Sequence, residues 1–160
     1  MNILKFLFGA AFAFFYGSYD YYKEMNYKKT FPNIHQTVKI GRGVIISSLF
    51  PKEIIIKENT FLMGDVAIGG KTTIGKNCAI GTRAQFISTT HIWGEKKLRK
   101  IKTKPIVIGD WVWVGTNTVI MGGVTIGNNS IIGANAVVTH NIKPNLIVAG
   151  VPAKVIGKVK

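Results

Sequence analysis

An aliphatic or aromatic residue recurs at every sixth position through most of this 160-residue chain, over residues 38–86 and again over residues 108–138. Glycine often follows this apolar position, and a small or β-branched residue often occupies the fifth place of the unit. A period of six fits neither a helix of about 3.6 residues per turn nor the two-residue alternation of a half-buried strand. It fits a short strand followed by a turn, and three such units form one triangular coil. The apolar series is Val38, Val44, Phe50, Ile56, Leu62, Ile68, Ile74, Ile80, Phe86, Ile108, Val114, Ile120, Ile126, Ile132 and Val138.

Stacking of these coils predicts an all-β fold, a parallel β-helix. The first position of each unit points inward onto its equivalents above and below, and the fifth position fits the crowded inner corner. Each unit buries little surface alone, so the stability comes from stacking. The predicted coils, about five in number, are residues 38–55, 56–73, 74–91, 108–125 and 126–143. Residues 92–107 remain as an excursion loop, and Cys78, at a fifth place, is predicted to be a small core residue rather than a nucleophile.

Charge and cysteine content narrow the functional classes. The formal net charge of +14 points to an anionic partner, which is a nucleic acid, a phosphate-bearing cofactor, an anionic lipid or an acidic glycan. No helix-turn-helix, RNA-binding motif or aromatic-basic platform is recognisable, so we expect no nucleic-acid partner. The single cysteine excludes an internal disulfide framework and a cysteine-built zinc site.

The amino-terminal residues differ from the rest of the chain. Residues 6–16 read FLFGAAFAFFY, an apolar run too short for a membrane-spanning helix. Tyrosines and lysines follow it, and this composition predicts that residues 1–30 form an apolar helix anchored on an anionic membrane surface. The expected location is then cytoplasmic, at the inner face of the cell membrane, with residues 31–160 forming the β-helix domain. Two alternatives stay open, a secretory signal and a helix that packs on the protein or on its copies in an oligomer.

Four further motifs carry a family resemblance: STTHIW at 88–93, KPIVIGDWVWVG at 104–115, GVTIGNNSIIGANAVVTHNI at 123–142 and VAGVPAKVIG at 148–157. With them the chain resembles the left-handed β-helix hexapeptide-repeat acyltransferases, in the branch of maltose, galactoside, nodulation-factor and exopolysaccharide acetyltransferases. The resemblance implies a left-handed coil, acetyl-CoA as co-substrate, no metal, and a homotrimer with active sites between subunits. It also implies a sugar or glycan acceptor.

His91 matches the histidine that acts as general base in this branch. A sugar hydroxyl is a poor nucleophile until its proton is removed during attack on the thioester carbonyl. Imidazole, with a reference pKa near 6.5, is suited to that transfer near neutral pH. We therefore expect His91 to be the catalytic base.

The resemblance assigns a second group of residues to the CoA side. Thr116 would supply a hydroxyl and backbone amides near the thioester, where the tetrahedral intermediate needs hydrogen-bond donors. An ordinary turn threonine is the alternative for Thr116, and core packing is the alternative for Trp113 and for the less specific Trp111. His140 stands where the family usually has lysine or arginine, which weakens the charge available to the CoA phosphates. The predicted cofactor-binding residues are Trp113, Gly115, Thr116, Ala134, Thr139, His140 and Lys154.

The acceptor side departs from the small-sugar enzymes. At the place where galactoside-type members carry an acidic residue, this chain has Gly69, followed by Gly70. Asp65 is the nearest carboxylate in sequence and is predicted to bind an acceptor hydroxyl, with a solvated turn aspartate as the alternative. Trp93, in the STTHIW motif, is the second predicted acceptor contact. The basic stretch EKKLRKIKTK at 95–104 is either a solvated loop or a cover that attracts an anionic acceptor or CoA.

The leading hypothesis is an acetyl-CoA-dependent O-acetyltransferase that acts on a cell-envelope polysaccharide or its lipid-linked precursor, by direct acyl transfer. N-acetylation of an amino-sugar nucleotide, and acetylation of a small sugar or antibiotic, remain open alternatives. A γ-type carbonic anhydrase needs three histidines that converge on one metal, and the spacing of His35, His91 and His140 makes that implausible within one subunit. A non-catalytic β-helix scaffold is the hypothesis from a different class.

Overall fold

The computed structural model describes residues 27, 29–47, 51–94 and 97–160, with the side chains of residues 91–101 outside the described part. Very short strands stack into three parallel sheets, which are the three faces of a β-helix. The expected parallel β-helix of about five coils is confirmed.

Each coil contributes one strand to each face in turn. Face 1 contains β1 Lys39–Ile40, β4 Phe61–Leu62, β7 Ala79–Ile80, β12 Trp113–Val114, β15 Ile131–Ile132 and β17 Leu146–Ala149, and ends on the antiparallel β18 Lys154–Lys158. Face 2 contains β2 Ile45–Ile46, β5 Ala67–Gly69, β8 Gln85–Ile87, β13 Val119–Met121 and β16 Val137–Val138. Face 3 contains β3 Ile54–Ile56, β6 Thr72–Ile74, β11 Ile106–Ile108 and β14 Thr125–Ile126. The first corner joins face 1 to face 2, the second corner joins face 2 to face 3, and the third corner joins face 3 to face 1.

The hydrophobic core is a single column inside the coils. From Ile56 onward, every apolar first position in the predicted series is buried. The small fifth places are buried as well, from Thr60 through Ala136, because a corner bent toward the axis has no room for a larger side chain. Where a hydroxyl occupies such a corner it bonds the backbone, as Thr60 Oγ1 does by donating to the Gly75 carbonyl at 2.7 Å. Hydrophobic stacking therefore acts at every level of the column, and the buried corner hydroxyls have backbone partners.

The first coil has a different register from the one predicted. Ile40 pairs with Leu62 and Ile46 pairs with Ile68, so these isoleucines, and not Val38 and Val44, are the inward first positions. Val38 and Val44 are buried, but at the corners. Paired positions here lie 22 residues apart instead of 18, and the extra residues include a 3₁₀ turn at Pro51–Glu53. Phe50, the third member of the predicted series, lies outside the described residues.

The excursion is an antiparallel hairpin of β9 Thr89–Gly94 and β10 Lys97–Thr103. It leaves the coil after Ser88 and returns at Lys104, whose N–H donates to the Ser88 carbonyl at 2.8 Å. The departure precedes the predicted residue 92, and the return precedes residue 107. Ile106 is a buried coil residue that pairs with Thr72 at a fifth place, where the repeat led us to expect a small side chain.

The predicted amino-terminal helix of residues 1–30 falls almost entirely outside the described residues. Its described end is a helical turn in which the Phe31 N–H donates to the Tyr27 carbonyl at 2.8 Å. The Tyr27 hydroxyl donates to the Val44 carbonyl, which ties this turn to the first coil. In the part of the chain that the structure describes, no helix is long and apolar enough to cross a membrane.

Candidate active site

The strand that carries His91 is the first arm of the hairpin at the second corner. His91 and Trp93 lie on β9, where their backbones pair with Ile101 and Leu98 of β10. The side chains of both residues lie outside the described part, so their predicted roles as base and acceptor contact stay predictions. The structure does establish that His91 stands three residues beyond Ser88, at the point where the chain leaves face 2.

A shallow groove of ≈ 290 Å³ lies on the outer surface of face 2, directly beside this departure point. Strand alternation turns Ile45, Ala67 and Gln85 outward across three coils, while Ser88 and Thr89 close the groove on the hairpin side. Ile45 is 67% exposed, and the Gln85 side chain is also exposed. An apolar floor with one amide at its edge suits a sugar ring, whose faces are apolar and whose rim carries hydroxyls.

The sequence reasoning did not find this groove. Its residues are ordinary outward positions of three different coils, and only the stacking brings them together. The available signal was that the outward positions of the coil before the hairpin, Gln85 and Ile87, must border the segment that carries His91.

Gly69 and Gly70 have a structural role at the departure point. The Ser88 hydroxyl donates to the Gly69 carbonyl, and Gly70 has a φ of +58°. A Cβ at Gly70 would lie 2.1 Å from Ser88 Oγ and 2.9 Å from Thr89 Oγ1. The close approach of the outgoing chain and the left-handed backbone therefore favour glycine at position 70.

Asp65 lies at the first corner, across face 2 from the hairpin. Its φ is +57°, and its N–H donates to the Arg42 carbonyl at 2.9 Å. The carboxylate lies against the backbone of Gly43, where a Cβ would be 1.9 Å from Asp65 Oδ1. Asp65 is exposed, and the structure does not bring it to the departure point of the hairpin.

Three of the predicted CoA-side residues meet at the first corner. Gly115 and Thr116 lie directly above Ala134 of the next coil, since the Gly115 N–H donates to the Ile132 carbonyl and the Asn135 N–H donates to the Thr116 carbonyl. The backbone N–H groups of Thr116 and Ala134 donate to no other described residue. Both residues are exposed, and two N–H donors in consecutive coils suit the amides of a pantetheine arm or a developing oxyanion.

The remaining predicted CoA-side residues are spread over the coils nearer the carboxyl terminus. Trp113 faces outward and is half-buried on β12, one strand before the first corner. Thr139 and His140 lie at the second corner below the hairpin, where Thr139 Oγ1 and His140 Nδ1 are 2.8 Å apart. Lys154 is exposed on β18 and pairs with Ala149 at the end of face 1. One chain therefore distributes the predicted residues over face 1 and both edges of face 2 rather than in a single pocket.

The glycine at position 115 is expected to be essential for this corner. A Cβ at Gly115 would lie 2.5 Å from the Ala134 nitrogen and 2.8 Å from the Ile132 carbonyl oxygen, both backbone atoms that cannot rotate away. We expect Gly115→Ala to destabilise the fold by about 1–3 kcal/mol in urea denaturation and to weaken CoA binding in calorimetry. Gly157→Ala is the matched control, because its Cβ would make an ordinary 3.6 Å contact with Ile147 Cδ1. Equal stability of the two variants would contradict this packing argument.

Cys78 is confirmed as a core residue. It is fully buried at the third corner, and its Sγ donates to the Gly109 carbonyl at 3.1 Å. Burial raises the pKa of the Cys78 thiol to about 11. We therefore expect no reaction with iodoacetamide at pH 8 in the folded protein and rapid reaction after unfolding in urea. Fast labelling of the native protein, read by mass spectrometry, would show that the corner opens.

The histidines do not assemble a metal site in the described part of the chain. His35 lies at the third corner, whereas His140 lies at the second. No group of three His, Cys, Asp or Glu side chains suitable for a metal ion occurs among the described residues.

Comparisons with known proteins show that the chain is similar to hexapeptide-repeat proteins and to acetyltransferases. The family model described as bacterial transferase hexapeptide (six repeats) matches residues 105–140. Galactoside O-acetyltransferase of Escherichia coli (strain K12) is 44% identical over 89 residues, which cover 54% of this chain and 44% of that protein. WbbJ of the same strain, named for O-acetyl transfer in lipopolysaccharide biosynthesis, is 33% identical over 131 residues, covering 74% of this chain and 62% of that protein. The chain thus spans about half the length of these relatives.

One solved structure is similar to most of this chain. A hexapeptide-repeat containing acetyltransferase from Vibrio cholerae O1 biovar eltor, complexed with acetyl coenzyme A, superposes with a TM-score of 0.75 at 33% identity. The match covers 84% of this chain and 74% of that one.

Proposed function

Because the chain belongs to the hexapeptide-repeat acyltransferase family, we propose that it transfers the acetyl group of acetyl-CoA to a sugar hydroxyl of a cell-envelope polysaccharide or its lipid-linked precursor. The observation that carries this proposal is the groove on face 2, which lies beside the strand that bears His91. A cavity with an apolar floor and an amide at its edge accepts a sugar ring, and the adjoining strand supplies a base.

The proposed reaction is a direct transfer. His91 removes the proton of the acceptor hydroxyl while the oxygen attacks the thioester carbonyl, which forms a C–O bond and a tetrahedral oxyanion. The N–H groups of Thr116 and Ala134 at the first corner donate to the oxyanion and to the pantetheine arm. The C–S bond then breaks, and the CoA sulfur takes the proton from the imidazolium. The products are an O-acetyl ester and free CoA.

The separation of the two groups supports an active site that is shared between copies of the chain. His91 stands beyond the second corner, whereas Thr116 and Ala134 lie at the first corner, on the other side of face 2. We propose a homotrimer in which the hairpin of one copy reaches the first corner of its neighbour. Co-expression of His91→Ala and Gly115→Ala chains tests this, because mixed assemblies would regain activity only if one site draws on two copies.

The proposed envelope acceptor rests on three observations. WbbJ is named for lipopolysaccharide biosynthesis, and 131 residues align with it. The small-sugar carboxylate is replaced by Gly69, and the amino-terminal run of residues 6–16 is apolar. A membrane anchor at the cytoplasmic face would bring the enzyme to a lipid-linked acceptor. Flotation with anionic liposomes, comparing the full chain with one that starts at Tyr27, tests the anchor.

The decisive experiment is thiol release from acetyl-CoA in the presence of an acceptor panel. The panel contains envelope polysaccharides, their lipid-linked precursors, amino-sugar nucleotides and small sugars. Release that depends on an envelope glycan, with an ester identified in the product, supports the proposal. Release only with an amino-sugar nucleotide would replace it with N-acetylation, and failure to bind acetyl-CoA would leave a non-catalytic scaffold.

A further inference from the structure

The third corner repeats one backbone conformation in five consecutive coils, and one of the five residues differs in type from the others. Asn59, Asn77, Asn129 and Asn145 occupy its left-handed position with φ between 55° and 61°. Trp111 occupies the same position in the coil between Asn77 and Asn129, with φ of 59°. Asparagine adopts this region readily, whereas a bulky side chain adopts it at a cost in strain. The tryptophan therefore stands where the local backbone disfavours it.

The backbone around Trp111 is otherwise ordinary for this corner. Its N–H donates to the Lys76 carbonyl at 2.9 Å, and the Asn129 N–H donates to the Asp110 carbonyl at 2.9 Å. The Asn77 N–H donates to the Glu58 carbonyl at 3.0 Å, and the Asn145 N–H donates to the Asn128 carbonyl at 3.0 Å, so the same bond recurs between the other coils. Position 111 differs from the equivalent asparagine positions only in its side chain. We therefore attribute the backbone strain at this position to a function of the tryptophan side chain.

Trp111 interrupts a ladder of amide side chains. Above it, Asn59 Nδ2 donates to Asn77 Oδ1 at 3.4 Å, and below it, Asn129 Nδ2 donates to Asn145 Oδ1 at 2.8 Å. The ladder at the first corner runs on without a break from Arg83 through Asn117 to Asn135. At the third corner, Asn77 Nδ2 and Asn129 Oδ1 have no hydrogen-bond partner among the described residues. A free donor and a free acceptor thus flank the tryptophan.

The indole itself is exposed at 43% of its surface, which excludes core packing for Trp111. An aromatic face with an amide donor on one side and an amide acceptor on the other matches a pyranose ring, whose C–H face is apolar and whose edge carries hydroxyls. None of the predicted CoA-side residues lies at this corner. They occupy face 1, where Trp113 lies on β12, and the first and second corners.

We propose that Trp111, flanked by Asn77 and Asn129, is a sugar-binding subsite for a glycan, separate from the place of acetyl transfer. The subsite rests on the proposed function for the identity of its ligand, which is a further sugar unit of the polymeric acceptor. It holds the polymer while the groove on face 2 positions the unit that is acetylated. Its effect is on the affinity for long acceptors and not on the chemical step.

Fluorine NMR of protein labelled with 5-fluorotryptophan tests the subsite directly. The chain contains three tryptophans, and the variants Trp111→Phe and Trp113→Phe assign their resonances. The probes are oligosaccharides released by mild acid from a lipopolysaccharide and from an exopolysaccharide, with CoA as the control ligand. We expect the Trp111 resonance to shift with an oligosaccharide and not with CoA. No shift at millimolar oligosaccharide, or a shift with CoA alone, would overturn the proposal.

The variant Trp111→Asn separates binding from stability. It completes the amide ladder and removes the strained aromatic residue, so we expect a higher Tm. We also expect a loss of about tenfold in oligosaccharide affinity, as removal of one aromatic contact predicts. With a polymeric acceptor KM should rise while kcat is retained, and turnover with a single-sugar acceptor should be unchanged. Trp111→Phe should keep part of the affinity.

Failure of the subsite and failure of the enzyme proposal are distinguishable. Oligosaccharide binding at Trp111 without any acetyl transfer would support the subsite and contradict the proposed activity. Acetyl transfer with equal KM values for the native chain and Trp111→Asn, measured on the same polymer, would contradict the subsite and support the proposed activity. A lower Tm for Trp111→Asn would also count against it, since the tryptophan would then be a structural residue.

Discussion

Replacing His91 with alanine is expected to lower acetyl transfer by about 10²–10⁴-fold, the contribution of a positioned general base. The hydroxyl of a sugar holds its proton near neutral pH, so without the base the attacking oxygen remains a weak nucleophile. The loss should fall on kcat, while the affinity for acetyl-CoA, measured by calorimetry, should be unchanged. Thiol release with a saturating acceptor measures the first quantity.

His35→Ala is the matched control for this variant. His35 is an exposed histidine at the third corner, with its Nδ1 2.9 Å from Thr37 Oγ1, and it has no proposed part in the reaction. Its replacement should leave turnover unchanged. If His91→Ala retained full turnover, or if both variants lost activity equally, the assignment of the base to His91 would be wrong.

The second large effect is expected from Phe86→Ala, which should destabilise the protein by about 3–5 kcal/mol. Phe86 is among the largest fully buried side chains, and on β8 it pairs with Ile68 above and Ile120 below. Its removal leaves a cavity in a column of stacked isoleucines, which have no rotamer that fills a phenyl-sized space. Urea denaturation at fixed protein concentration gives the change in the free energy of unfolding.

Ile87→Ala provides the control on the same strand. Ile87 follows Phe86 directly, faces outward and is 37% exposed, so its truncation should change stability by about 0.5 kcal/mol or less. Similar losses for Phe86→Ala and Ile87→Ala would contradict the inward and outward assignment of β8. Because β8 leads into Ser88 and the hairpin, Phe86→Ala should also reduce acetyl transfer at temperatures where the protein is still folded.

The repeat predicted the interior well wherever the period was uninterrupted. From Ile56 to Phe86 and from Ile108 to Val138 the first positions are all buried, since a side chain that recurs once per strand-turn unit meets the same neighbours in every coil. Cys78 followed from the same rule. The prediction failed where a unit changes length, because counting by six cannot detect extra residues between two apolar positions. Val38 and Val44 satisfied the spacing by coincidence, while Ile40 and Ile46 hold the inward positions.

The excursion was located only approximately for a related reason. Ile106 pairs with Thr72 inside the coil, but its large side chain did not match the small residue expected at a fifth place. Thr72 lies between Ile106 and the similarly placed Ile54, so a small residue separates the two isoleucines at this position of face 3.

The candidate site was likewise predicted only in part. Local motifs indicated some of its residues, and the tertiary structure was needed for the others. Motifs singled out Gly115, Thr116 and Ala134, and stacking of two consecutive coils brings them together at the first corner. No motif pointed to Ile45 or Gln85, because the groove they line combines outward positions of separate coils. The position of Trp111 between Asn77 and Asn129 at the third corner was equally absent from the linear pattern.

The sequence by itself determined the kind of fold, the inward and corner positions of the regular coils and the presence of an excursion next to His91. These are local properties, since each follows from residues a few places apart that obey one period. The tertiary structure alone decided the length of the first coil, the pairing of the hairpin, the groove on face 2 and the interrupted ladder at the third corner. Each of these depends on which residues of different coils lie side by side, and an inserted residue changes that alignment without changing the local pattern that the sequence displays.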